Sequence, residues 1–81
     1  MADEKKKKEI PPKILVAAMV LRAQDMRLFG LVADTATIGY CWHATGEAIQ
    51  EQYVQRAEAV SWAVGNLTPE TAKGKTAPKL K

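Results

Sequence analysis

Apolar residues recur along this chain with the period of helices, and no stretch of comparable length alternates as a strand would. Over residues 34–67 one set falls seven apart: Gly39, Gly46, Tyr53, Val60 and Leu67, with Trp42, Ile49 and Ala63 three residues further along. That spacing predicts a long helix presenting one seam, beginning at Asp34 or Ala36 and ending near Gly65. Asp34, Thr35 and Thr37 are each suitable N-caps for it. Gly65 and Asn66 suit a helix end, and Pro69 forbids continuation. Gly39 and Gly46 weaken the first half, so a split near Gly46, with Thr45 capping the second piece, is the alternative.

A first helix is predicted upstream. Pro11 and Pro12 suit its first turn, where a missing N–H costs no intrahelical bond. Ile14, Ala17, Ala18, Leu21, Leu28 and Val32 form its stripe, but Leu15, Val16, Met19 and Val20 lie outside it. A helix that is apolar nearly all round needs covering on more than one side. Gly30 is expected to end it as a left-handed cap, with Leu31 folding back onto Met26.

The reading is therefore an all-α chain: a two-helix hairpin over 11–67, or three helices if the second is split. A Lys-rich flexible arm (1–10) precedes it and a flexible tail (68–81) follows. Of the 54 residues from Ile14 to Leu67, 32 are apolar, more than one hairpin can bury. This excess predicts completion as a helical bundle, by self-association or by docking into a larger protein assembly. A core of this size is marginal when alone, which argues the same way.

Composition adds a division of charge. Residues 1–13 carry five lysines against three acids, net +2, and residues 68–81 carry four against one, net +3. Between them three arginines oppose five acids, net −2, so the overall +3 belongs to the ends. Lys5, Lys6, Lys7, Lys8, Lys73, Lys75, Lys79 and Lys81 are thus candidates for non-specific contact with nucleic acid phosphates. Against this stand the lack of an arginine cluster, of aromatic residues in the tails and of a basic recognition helix. The single cysteine, Cys41, cannot form an intramolecular disulfide and fits a reducing compartment. No secretory leader or membrane span is read, and a cytoplasmic protein is expected.

Candidate chemistry is sparse. Cys41 and His43, two apart on a helix, point roughly 200° from one another and cannot act as nucleophile and base within one chain. No catalytic residue and no cofactor are therefore expected. His43, Glu47 and Glu51, at steps of four, would share a helical face and form the candidate metal site. The Glu-x-x-His spacing of carboxylate-bridged bundles is absent, however, and Asp25 is the nearest carboxylate on the first helix.

The candidate interface residues are Gly39, Trp42, Gly46, Ile49 and Tyr53 on the seam, with Cys41, Ala48 and Trp62 as a second strip. Gly39 and Gly46 would let another helix backbone approach, with Ala17 and Ala18 as opposites. Arg56 stands where the seam wants an apolar residue. It would pair with an acid of a neighbouring chain, or cover the seam with its aliphatic stem. The function expected is a small non-catalytic structural, adaptor or regulatory subunit, including one of a virus-like assembly. A nucleic-acid binder and a metal-binding bundle are the alternatives.

Overall fold

A computed structural model describes residues 9–76, and all the regular structure among them is helical. The helices are α1 (Pro12–Leu28), α2 (Ile38–His43), α3 (Glu47–Asn66) and a single turn, α4 (Pro69–Ala72). No helix among the described residues is long and apolar enough to cross a membrane.

Helix α1 begins with Pro12 at its first position, where the missing donor is harmless, and no side chain caps it. It ends as expected at Gly30, whose φ of 71° suits a residue without Cβ. Leu31 N–H donates to Met26 O at 2.8 Å and Gly30 N–H to Arg27 O at 3.1 Å, the two bonds of a Schellman motif. Of the three capping candidates, Thr37 serves: its hydroxyl accepts the Tyr40 N–H at 3.0 Å and starts α2.

The predicted long second helix is broken at Ala44–Gly46, which is the split reading, but Thr45 is not its cap. The Thr45 side chain turns inward, donates to Cys41 O at 2.8 Å and receives Arg22 Nε at 2.9 Å, so it is unavailable to the next helix. Gly46, extended at ψ 156°, is the N-cap of α3 instead. A back-bonded threonine next to glycine combines two poor helix formers, and the seven-residue phase across them was not enough to hold the helix. Gln50 of α3 then donates to Trp42 O at 2.8 Å and covers a carbonyl at the end of α2.

The close-approach role expected of Gly39 and Gly46 is not found, because a Cβ at either would meet nothing within 4 Å. Gly39→Ala is therefore expected to stabilise the chain, by about 0.5–1 kcal/mol, through helix propensity alone. Denaturant unfolding checks this, and a loss of that size would instead reveal a backbone from another chain lying against Gly39.

Helix α1 is the shared wall: both α2 and α3 pack against it. Ala18, Trp42, Tyr53 and Ala57 form one buried cluster, flanked by Ile14, Leu15, Ala17, Met19, Leu21 and Val54. A second cluster joins Ala23, Met26 and Cys41, with Val32 and Ala36 of the connecting loop against it. The broad apolar character of α1 is thus met by two neighbours. Leu28 is the departure from the predicted stripe, 76% exposed. At this end the covered face is that of Ala23 and Met26, against Cys41, Val32 and Ala36, and a residue two beyond Met26 points away from it.

At the far end, α3 continues through Gly65 to Asn66, and Leu67, not a left-handed glycine, is its C-cap. The tail expected from 68 onward opens with the turn α4, closed by a reciprocal capping box. Thr71 N–H donates to Thr68 Oγ1 at 3.2 Å and Thr68 N–H to Thr71 Oγ1 at 2.8 Å.

Candidate functional site

The most organised group of polar side chains lies where α1 meets α2 and α3. Arg22 and Asp25 are three residues apart on α1, and Tyr53 and Arg56 are three apart on α3, so each pair shares one face of its helix. Tyr53 Oη donates to Asp25 Oδ2 at 2.6 Å and accepts Arg22 Nη1 at 3.5 Å. Arg56 Nη1 donates to the same Asp25 oxygen at 3.2 Å. Both guanidiniums also lie near the Tyr53 ring, Arg56 at 4.8 Å and Arg22 at 5.4 Å from its centre, within cation–π reach. Arg22 Nε reaches on to Thr45, which is buried and carries the break between α2 and α3.

The tyrosine hydrogen bond is the largest influence on Asp25, and it lowers the carboxyl pKa below its ordinary range. Burial opposes this, while the Arg56 bond and the charges of Arg56 and Arg22 add to it. A carboxylate depressed in the folded state contributes stability that is complete above its unfolded value. That contribution is lost as pH falls through the folded value. The junction is thus a structural clamp in which Asp25 pairs with Arg56 and Arg22 is held by the Thr45 and Tyr53 hydroxyls. Arg56, expected either to pair with an acid of a neighbouring chain or to cover the seam with its stem and reach water, pairs with Asp25 of its own α1.

The predicted interface set divides. Cys41, Trp42 and Tyr53 are buried in the chain's own core, the first two because the break at Thr45 lets α2 pack on α1, and Tyr53 because α3 packs on α1 beside it. Gly39 is half-buried, whereas Gly46, Ala48, Ile49 and Trp62 are exposed. The strip of Cys41, Ala48 and Trp62 therefore does not exist as one surface: its first member is inside, and its others lie on α3 beyond the break. Around Trp62 a groove is lined by Ala59, Ala63 and Leu67 of α3 and its end, together with Lys75 and Thr76. The chain's own C-terminal segment thus lies beside this tryptophan.

The candidate metal face is divided by the same break. His43 ends α2, whereas Glu47 begins α3 and Glu51 follows one turn later, so steps of four no longer place them on one helix. No three His, Cys, Asp or Glu side chains are gathered as metal ligands among the described residues. Cys41 is fully buried and His43 exposed. Among the candidate phosphate contacts, Lys73 sits 3.8 Å from Glu70 and Lys75 beside the Trp62 groove. Lys5, Lys6, Lys7, Lys8, Lys79 and Lys81 lie outside the described residues.

The polar junction was missed in the sequence. Its signal was the matched spacing of three in Arg22/Asp25 on α1 and Tyr53/Arg56 on α3. Fold and site together define a small chain, all-α among the described residues, with an internal ionic clamp and eleven large apolar side chains exposed. Comparison with protein-family models, curated proteins and solved structures finds no match.

Proposed function

We propose that this chain is a small non-catalytic helical module that works by protein–protein contact, with itself or within a larger assembly. The observation that carries the reading is the number of large apolar side chains left exposed. Among the described residues the buried hydrophobics are three alanines with Met26, Cys41, Trp42 and Tyr53. Eleven large ones are exposed: Ile10, Val16, Leu28, Phe29, Leu31, Ile38, Tyr40, Ile49, Val60, Trp62 and Val64. Single exposed apolar residues are ordinary, but a chain that leaves as many large ones exposed as it covers wholly or partly has surface to give to a partner. Its polar cluster, by contrast, is hydrogen-bonded within the chain.

The test is light scattering over a concentration series, with an apolar-surface dye as second readout. The expected result is a molar mass above the 8.9 kDa of one chain, with dye binding that falls as the mass rises. A monomer that binds the dye strongly places the contact with a different chain. A monomer at millimolar concentration that binds no dye overturns the reading.

A further inference from the structure

We draw no further inference here: the strongest candidate, the apolar groove beside Trp62 at the C-terminal end of α3, lined by Ala59, Ala63 and Leu67 with Lys75 and Thr76, carries nothing, because nothing in the structure shows what covers it.

Discussion

Replacing Trp42 by alanine is expected to unfold the chain at 25 °C. Trp42 is 9% exposed and is the largest side chain in the cluster with Ala18, Tyr53 and Ala57. Its removal takes away the only bulky side chain α2 contributes to that cluster and leaves a cavity against α1. Truncations of this kind cost about 3–5 kcal/mol, and a core in a chain this short rarely supplies more than about 3–5 kcal/mol in total. Far-UV circular dichroism through a urea titration measures the result. A cooperative transition within about 1 kcal/mol of wild type would show that the core does not depend on Trp42. The control is Trp62→Ala: at 59% exposed it has little packing to lose, so the two tryptophans should behave in opposite ways.

Tyr53→Phe is the second large effect, and it is dependent on pH. The change keeps the ring under both guanidiniums and deletes only the hydroxyl that donates to Asp25 at 2.6 Å and receives Arg22. A hydrogen bond to a charged group is worth about 1.5–3 kcal/mol, and the variant should lose that much near neutral pH. The tyrosine is the main reason the Asp25 carboxyl is depressed, so without it the folded pKa moves back toward the ordinary value of about 3.9. The wild-type advantage should therefore be full above about pH 5 and shrink as the solution is acidified through the depressed wild-type value. Unfolding free energies of both proteins at several pH values provide the check. A gap that is constant with pH would mean the hydroxyl acts by packing and not through the carboxylate.

What could be read from the residues alone was what local chemistry decides. Pro12 starts α1 wherever the rest of the chain lies, Gly30 ends it by a backbone conformation, and Thr37 caps α2 with its own hydroxyl. The break at Thr45 was legible only as an alternative, because the choice depends on Arg22, 23 residues away, holding the threonine inward. The seam from Gly39 to Leu67 kept its phase through that break by coincidence of spacing, and with it went the surface assigned to Cys41, Trp42 and Tyr53. These three are good interface residues by type. They became core because α2, carrying Cys41 and Trp42, and α3, carrying Tyr53, both pack on α1. The exposure of Leu28 was hidden for the opposite reason: it was counted in the α1 stripe, and which face of α1 is covered at its end is not written in the periodicity of that helix.

The position of α1 as shared wall has a consequence for how the molecule opens. The two extensive helix–helix contacts among the described residues both involve α1, so α2 or α3 can detach singly while α1 cannot leave without releasing both. Amide hydrogen exchange should accordingly be graded along the chain. The turn of α4, with no buried residue, exchanges first, and the α1 amides around Ala18 and Ala23 exchange only when the whole chain unfolds.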